Sequence, residues 1–171
     1  MILETERLIL TPFSEADGPL LYPLMSDDEV MAHLETDGIE DPDEVDATVA
    51  AQARAMAAGE AWYWTIRPVG SETLLGWVQL SEFDKRHHQA ELVLMLLRHA
   101  RGAGYALETM TAVVGYAATR GLRRLTARTQ VGENRSEVLL KALGFEQLGY
   151  VRGRIDRDSE RRDWRLWMVD L

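Results

Sequence analysis

The residues with the clearest chemical potential lie in the segment 94–108, LMLLRHARGAGYALE. Gly102 and Gly104 allow a backbone to pass close to a ligand. The helix predicted after them directs its free N–H groups and the positive end of its dipole back into the same turn. Such a turn suits the binding of a pyrophosphate group, although two glycines before a helix also fit a plain connection between a strand and a helix.

Two other nucleotide-binding motifs are absent from this segment. A dinucleotide-binding turn needs a third glycine near Leu107 and an acidic residue about 20 positions later. The chain has neither, and the later segment LRRLTAR has the wrong charge. A P-loop needs Gly-Lys followed by Ser or Thr, and the chain contains no such triplet. These absences exclude the dinucleotide-binding and P-loop classes.

Alternating and apolar patterns predict seven strands around the turn. The segment 89–97, QAELVLMLL, is apolar enough to be buried on both faces of a sheet. The segments AWYWTIR and LLGWVQL, separated by Gly70 and Ser71, predict an antiparallel pair. The predicted strands are 7–11, 61–67, 74–80, 89–97, 123–130, 145–153 and 163–169.

Four helices are predicted from capping residues and helical spacing. Ser14 with Asp17, and Asn134 with Glu137, resemble capping boxes that open the first and the last of them. An Asp-Pro pair opens the second, over 41–58. The apolar residues expected on the buried faces are Leu20, Leu21, Leu24 and Met25 in the first helix, Leu107, Met110, Val113, Val114 and Ala117 in the third, and Val138, Leu139, Ala142 and Leu143 in the fourth.

The composition excludes several classes of protein. The chain has no cysteine, which excludes disulfides, thiolate zinc sites and a cysteine nucleophile. No apolar run approaches the ~20 residues of a membrane span, so we expect a cytoplasmic protein without a membrane partner. The length of 171 residues and the lack of a linker predict a single domain over 1–171.

Charge is spread unevenly along the chain. Residues 1–60 contain fifteen acidic and two basic side chains, a balance of −13, whereas the whole chain carries −9. An acidic first third favours cationic partners or forms a solvated surface, and the lack of a basic stripe argues against a nucleic-acid partner. Six arginines between 152 and 165 are interleaved with acidic residues, which predicts a charged hairpin.

Several segments together resemble the GNAT acetyltransferases, in particular the branch that includes bacterial enzymes acetylating the N-termini of ribosomal proteins. They are TERLILTPF at 5–13, AEL at 90–92, ARGAGYALE at 100–108, ENRSEVLLKALGF at 133–145 and DWRLWMV at 163–169. The resemblance implies an α+β fold. Its α/β mixed sheet would lie in a GNAT-like three-layer sandwich with about four helices. The sheet would be predominantly antiparallel and splayed between strands four and five, with the pantetheine arm of acetyl-CoA in the gap.

The resemblance also assigns residues that would bind the cofactor. Met95, Leu96 and Leu97 would bind pantetheine through their backbones. The family's phosphate motif usually starts with Gln or Arg where this chain has His99, and we expect contact to persist through backbone N–H groups and an arginine. The residues that would hold the pyrophosphate are Arg101, Gly102, Ala103, Gly104, Tyr105 and Ala106.

A second family motif is altered in this chain. The family tends to have Asn-x-x-Ser, whereas Asn134 and Ser136 are only two positions apart. Counting back from the Leu-Gly-Phe at 143–145 aligns Ser136 and places Glu133 where the asparagine is expected. Asn134 is therefore either a cofactor contact or the N-cap of a helix.

Acetylation of an amine needs a base, an oxyanion donor and an acid. Glu91 is the candidate base because it lies on the strand expected to hold the cofactor, and the alternative is an ion pair with a nearby arginine. A backbone N–H of the same strand, with Leu96 as the candidate, would stabilise the oxyanion. The family's usual acid is a tyrosine, here Leu140, so the resemblance suggests Ser136 as a substitute, and Tyr150 is a weaker candidate.

Two further sets of residues have side chains of the kinds found in functional sites. Trp62, Trp64 and Ile66 share one strand face, and core packing is the preferred role over lining an acceptor pocket. The four histidines show no metal-ligand spacing, so we predict no metal site.

These observations predict an enzyme that transfers an acetyl group from acetyl-CoA to a primary amine by direct attack in a ternary complex. The acceptor would be a peptide N-terminus or a small-molecule amine. The alternative is a non-catalytic acyl-CoA-binding or regulatory module, because the family's tyrosine is missing. The family resemblance also makes a homodimer an expectation.

Overall fold

One sheet of eight strands organises the chain in a computed structural model that describes residues 1–153 and 163–171. The strands are β1 (Leu3–Glu4), β2 (Leu8–Pro12), β3 (Trp62–Pro68), β4 (Gly76–Asp84), β5 (Gln89–Leu96), β6 (Arg124–Gln130), β7 (Glu146–Val151) and β8 (Trp164–Asp170). They lie in the order β1-β2-β3-β4-β5-β6-β8-β7. The charged hairpin predicted between 152 and 165 lies mainly outside the described residues.

Five α-helices accompany the sheet in the described part of the chain. They are α1 (Gly18–Met25), α2 (Asp28–Met31), α3 (Pro42–Ala57), α4 (Tyr105–Thr119) and α5 (Asn134–Ala142), with short 3-10 helices at Ala32–Leu34 and Arg98–Ala100. All seven predicted strands and all four predicted helices are present. The additional β1 and α2 have two and four residues, too few for a periodic pattern to reveal them. Among the described helices, none is long and apolar enough to cross a membrane.

The sheet is predominantly antiparallel, as predicted. Among the described strands, β5 and β6 alone pair in parallel, and the other neighbours are antiparallel. Because β1 was not predicted, strands four and five of the sequence prediction correspond to β5 and β6.

Two apolar clusters cover opposite faces of the sheet. The first packs Val113 of α4 and Leu140 of α5 against strand residues such as Leu92. The second packs α1, α2 and α3 against Trp77 and Met95. The fold is therefore the predicted three-layer sandwich, with an N-terminal helical layer (α1, α2, α3) on one face and a C-terminal helical layer (α4, α5) on the other. Trp62, Trp64 and Ile66 all pack in the first cluster, which confirms their predicted core role.

Strand β5 contributes to both clusters, as its continuous apolar sequence predicted. Ala90 and Leu92 are buried in the first cluster, and Leu94 packs against it. Met95 is buried in the second cluster, and Val93 packs against that one. Even-numbered side chains therefore face the C-terminal helical layer, and odd-numbered ones face the N-terminal helical layer.

Helix α1 begins later than its capping pattern predicted. Ser14 N–H donates to Asp17 Oδ2 at 2.8 Å, and Asp17 N–H donates to Ser14 O at 3.1 Å. These bonds close a separate turn, and Asp17 is the N-cap of a helix that starts at Gly18. The predicted buried face is otherwise present, with Leu20 partly buried and three fully buried residues, Leu21, Leu24 and Met25.

The apolar faces of α4 and α5 differ in detail from the prediction. Leu107 lies in the first turn of α4 and is 44% exposed, whereas the core-facing stripe begins at Met110. In α5, Val138 is 67% exposed and Ala142 is also exposed. The buried stripe of α5 is centred instead on Leu140, with two flanking residues at helical spacing, Leu139 and Leu143.

The predicted capping box of α5 is wrong. Glu133 is the N-cap residue, Asn134 is the first helical residue, and no side chain caps the helix. Glu137 is buried, and its Oε2 accepts a hydrogen bond from Arg165 Nη1 at 2.6 Å. Because Asn134 lies at the first helical position instead of the N-cap, it does not form the box with Glu137.

Glu108 ties the start of α4 to the edge formed by β1 and β2. Its Oε1 accepts from Thr5 Oγ1 at 2.6 Å and from the Arg7 backbone N–H at 2.9 Å, and Arg7 Nε donates to its Oε2 at 2.6 Å. Burial raises the pKa of Glu108, but the hydrogen bonds from Thr5 and Arg7 outweigh it and lower the pKa overall. Arg7 Nη1 also donates to Ala103 O at 2.9 Å, so the same contacts fix the turn before α4.

Replacing Glu108 with Gln should lower the free energy of unfolding by about 1–2 kcal/mol near neutral pH, because hydrogen bonds to a charged acceptor are lost. Because the pKa of Glu108 is lower in the folded state than in the unfolded state, the carboxylate stabilises the fold at pH values above the usual pKa range of glutamate. This contribution is lost as pH falls through the folded-state pKa. Urea unfolding should show the wild-type advantage at about pH 7 and a much smaller one at about pH 3. An advantage of equal size at both pH values would contradict this account.

Candidate active site

The sheet opens between β5 and β6. The two strands pair over three residue pairs, Gln89 with Arg124, Ala90 with Leu125, and Glu91 with Thr126. Strand β5 continues to Leu96 and β6 continues to Gln130, with β5 still paired to β4 and β6 to β8. The two strands therefore separate beyond the third pair, as the predicted splay requires.

Backbone groups of β5 face this gap at alternate residues. Leu97 N–H donates to Leu75 O at 2.9 Å, which directs the backbone of odd-numbered residues toward β4. On the other side, His88 O accepts from Arg123 N–H at 2.7 Å, which directs even-numbered residues toward β6. Beyond the last pair with β6, the even-numbered residues are Leu92, next to the closed end, and Leu94 and Leu96, whose backbone groups face the open part of the gap.

This alternation distinguishes the residues predicted to bind pantetheine by the direction of their backbone groups. Of the three residues expected to bind it through their backbones, Leu96 alone presents those groups to the gap. Met95 and Leu97 direct theirs toward β4, because strand geometry sends the backbone groups of successive residues to opposite sides. Leu94, which the sequence did not indicate, also presents its backbone groups to the gap.

The turn at the end of β5 has the geometry predicted for phosphate binding. Gly102 and Gly104 have φ angles of +84° and +82°, and Gly104 is the N-cap of α4. No side chain caps the helix, so its first N–H groups point into the turn. Residues Gly102, Ala103 and Gly104 are exposed. Tyr105, the first helical residue, packs its ring under the Arg7 guanidinium at 4.9 Å, and Ala106 follows it in the helix.

Arg101 is engaged within the protein. Its Nε donates to Leu96 O at 3.1 Å, and its Nη1 donates to Glu29 Oε1 at 2.9 Å. Arg98 also pairs with Glu29. The hydrogen bond from Arg101 and the charge of Arg98 lower the pKa of Glu29. The sequence predicted a phosphate contact for Arg101 and gave no sign of Glu29, which lies some 70 residues away in α2.

Glu91 forms an ion pair at the closed end of the gap. Arg128 Nε donates to Glu91 Oε1 at 2.6 Å and Arg128 Nη2 donates to Glu91 Oε2 at 3.2 Å. The Glu91 side chain is 12% exposed and that of Arg128 is 39% exposed. Burial lowers the pKa of Arg128, but hydrogen bonding to Glu91 and nearby carboxylates outweigh it and raise the pKa overall. The arginine partner considered for Glu91 in the sequence analysis is therefore present.

Two more carboxylates surround Arg128. Glu35 Oε2 lies 3.9 Å from Arg128 Nη1, and the charge of Glu82 also acts on Arg128. Glu35 and Glu82 have φ angles of +56° and +52°, and Glu82 lies at the irregularity in β4. Such left-handed backbone is costly for a non-glycine residue and is concentrated at functional sites. Burial, together with the charge of Glu82, raises the pKa of Tyr63.

The start of α5 carries the remaining predicted site residues. Ser136 Oγ donates to Glu133 Oε2 at 3.2 Å, and His33 Nδ1 lies 3.6 Å from the same oxygen. Asn134 is exposed at the first helical position. Leu140 is buried, and Tyr150 is 65% exposed with its ring against Arg165.

The segment of α2 and the 3-10 helix after it contacts both sides of the gap. Glu29 pairs with the arginines that follow β5. At the other end of the segment, Ala32 O accepts from Gln130 Nε2 at 3.4 Å, and Glu35 lies near Arg128 of β6. Leu125 and Ala127 of β6 face the first apolar cluster, so alternation along the strand could have indicated that Arg128 faces the other side. No sequence pattern indicates that Glu29 or Glu35 lies at the gap.

Among residues 1–153 and 163–171, no group of three or more His, Asp or Glu side chains is placed to hold a metal ion. The described site brings together carboxylates, an arginine, a serine and gap-facing backbone groups. An open turn with free N–H groups, continuous with a gap lined by peptide groups, fits a ligand with a diphosphate and an amide-containing arm.

Comparison with known proteins decides the family. The Acetyltransferase (GNAT) domain family matches residues 7–146. The chain belongs to the GNAT acetyltransferase family. An uncharacterized N-acetyltransferase of Bacillus subtilis (strain 168), YoaA, is 26% identical over 152 residues, which cover 88% of this chain and 86% of YoaA.

Solved structures show the same GNAT fold. The ribosomal L7/L12 α-N-protein acetyltransferase RimL, in complex with CoA, matches with a TM-score of 0.87 and 16% identity over 100% of this chain and 98% of that one. Spermidine N-acetyltransferase from Vibrio cholerae, in complex with CoA and spermine, matches with a TM-score of 0.85 and 17% identity over 97% and 96%. The predicted family, fold, acetyl-CoA cosubstrate and N-acetyltransferase class are thereby confirmed.

The glycine turn can be tested without disturbing the core. A Cβ at Gly102 meets no atom within 4 Å, so Gly102→Ala adds only backbone strain and a methyl group at the turn. Gly121→Ala is a matched control, because its φ of +83° and open surroundings are the same at the other end of α4. We expect both variants to lose about 1–2 kcal/mol of stability. Only Gly102→Ala should also lose CoA affinity, by roughly tenfold in calorimetry. Equal CoA affinity in the two folded variants would refute the phosphate role of this turn.

Proposed function

We propose that this enzyme transfers the acetyl group directly to a primary amine while both substrates are bound. One observation carries the proposal. The open gap between β5 and β6 has the turn at Gly102 and Gly104 at one end and the Glu91 carboxylate, with its surrounding acidic groups, at the other. The arrangement supports a cofactor lying along β5 and an amine arriving beside Glu91. The chain would act as a single domain over 1–171 in the cytoplasm, as expected from its sequence.

The cofactor-binding groups follow from the gap and the turn. Backbone groups of Leu94 and Leu96 would hydrogen-bond the amides of pantetheine. The N–H groups over 101–106 would bind the pyrophosphate, assisted by the positive end of the α4 dipole. Asn134 is not the N-cap of α5, and its exposed side chain at the start of that helix supports a polar contact with the cofactor.

Glu91 is the proposed base. An amine attacks a thioester only when it is neutral, so a proton must leave the acceptor ammonium first. The Glu91 carboxylate is partly exposed at the closed end of the gap and would take that proton directly or through a water molecule. Arg128, which donates two hydrogen bonds to it, is the positioning residue that fixes the orientation of the carboxylate.

The oxyanion and the departing thiolate need donors of their own. A gap-facing N–H of β5 would stabilise the oxyanion, with Leu94 the nearer candidate to Glu91 and Leu96 the nearer to the turn. Ser136, at the start of α5, would give its hydroxyl proton to the thiolate and regain one from solvent, and the helix dipole there also favours negative charge. Leu140 cannot act as an acid, and Tyr150 remains the weaker candidate because it is exposed and pairs with Arg165.

The acceptor is proposed to be a cationic amine, either a peptide N-terminus or a small molecule. Three carboxylates, from Glu35, Glu82 and Glu91, surround the single charge of Arg128 and leave this end of the gap acidic. The −13 balance of the first sixty residues acts in the same direction. The relatives include enzymes named for spermidine and for the N-terminus of a ribosomal protein, both of which bear amines.

Replacing Glu91 with Gln should lower turnover by roughly 100-fold, because the neutral amide cannot accept the ammonium proton. Thiol release from acetyl-CoA, measured across a panel of mono- and dicationic amines, gives the rate. The affinity for CoA should stay unchanged in calorimetry. The rise of the wild-type rate with pH should move to the higher range in which the amine itself becomes neutral.

Arg128→Lys separates the role of Glu91 as the base from that of Arg128 in positioning it, because lysine keeps the positive charge but loses the paired hydrogen bonds. It should lower turnover less than Glu91→Gln. A Glu91→Gln enzyme with wild-type turnover and an unaltered pH profile would show that Glu91 is not the base. Failure of the wild type to release thiol with any amine, despite binding CoA, would favour the non-catalytic alternative.

A further inference from the structure

Arg101 occupies a position between the phosphate turn and the gap. Its Nε donates to Leu96 O at 3.1 Å, and Leu96 is one of the two β5 residues whose backbone groups face the gap. Its Nη1 donates to Glu29 Oε1 at 2.9 Å. One side chain therefore engages both a carbonyl suited to pantetheine and a carboxylate that takes the place of a phosphate.

The helix that carries Glu29 is firmly held in the fold. Asp27 caps α2, its Oδ1 accepting from the N–H of Glu29 at 2.9 Å and from that of Val30 at 3.3 Å. Val30 and Met31 are buried in the second apolar cluster. The Glu29 carboxylate is thus held opposite Arg101, and Arg98 supplies a second cation to it.

We propose that Glu29 and Arg101 form a latch on the cofactor site, an inference that rests on the proposed function. In the closed latch, Glu29 binds the guanidinium that a CoA phosphate would otherwise bind. Arg101 in turn binds the Leu96 carbonyl that a pantetheine amide would otherwise bind. Cofactor binding exchanges both contacts, so a ligand that carries a phosphate and an amide together opens the latch at least cost.

The latch predicts that one substitution near the cofactor site strengthens CoA binding instead of weakening it. Glu29→Gln removes the competing charge and should lower the dissociation constant for CoA, measured by calorimetry, roughly two- to fivefold, the range expected for an exposed ion pair. Glu15→Gln is the matched control, because it removes the same charge from an exposed pair with Arg54 elsewhere on the acidic surface. It should change CoA affinity much less.

The same Glu29 substitution made in an Arg101→Gln variant tests whether Arg101 is the cation that Glu29 binds. In Arg101→Gln, which has lost the latch cation, adding Glu29→Gln should give a clearly smaller gain in CoA affinity than it gives in the wild type. Circular dichroism on each variant checks that the fold is retained.

Three outcomes would overturn the latch alone. Equal CoA affinity in Glu29→Gln and Glu15→Gln would show that Glu29 does not compete with the cofactor. Weaker binding by Glu29→Gln would show that Glu29 instead positions Arg101 for the phosphate. An undiminished gain in the Arg101→Gln background would show that Arg101 is not the partner. Absence of CoA binding by the wild type would overturn the proposed function and the latch with it, so the two failures are distinguishable.

Discussion

Parallel pairing between β5 and β6 ends after Glu91 and Thr126, and the rest of the site depends on that early end. A peptide group that lacks a partner and is shielded from water costs free energy comparable to a lost hydrogen bond. The gap-facing groups of Leu94 and Leu96 therefore favour any ligand that supplies complementary amides. In this structure Arg101 satisfies one of them, the Leu96 carbonyl, from within the chain.

The surrounding structure keeps the two strands apart. Strand β5 is bonded along its other edge to β4, and β6 is bonded along its other edge to β8. Apolar clusters on both faces fix these pairs against the helical layers. The segment from α2 to Glu35 contacts both strands on one face, through Arg101 on the β5 side and Arg128 on the β6 side. The two ends of the gap thus share one structural element.

Sequence patterns predicted what depends on local spacing. The alternation of apolar residues placed all seven longer strands, and the glycines at 102 and 104 placed the turn before α4. The family resemblance supplied the splay, which no local pattern contains. Contacts between distant segments were missed, as with Glu29 and Arg101 or Glu137 and Arg165, because side-chain pairing depends on the folded arrangement of elements. A strand sequence alone also does not indicate which residues direct their backbone toward which neighbour, so the facing of Leu94 and Leu96 toward the gap is visible only in the fold.

The central claim is that the cofactor binds gap-facing peptide groups of β5, and residue-resolved amide hydrogen exchange by NMR tests it most directly. Saturating CoA should slow exchange at the Leu94 and Leu96 amides, because they gain a ligand. The Met95 and Leu97 amides, already directed at β4, should respond much less. Unchanged exchange at Leu94 and Leu96 in the CoA-saturated protein would contradict the account.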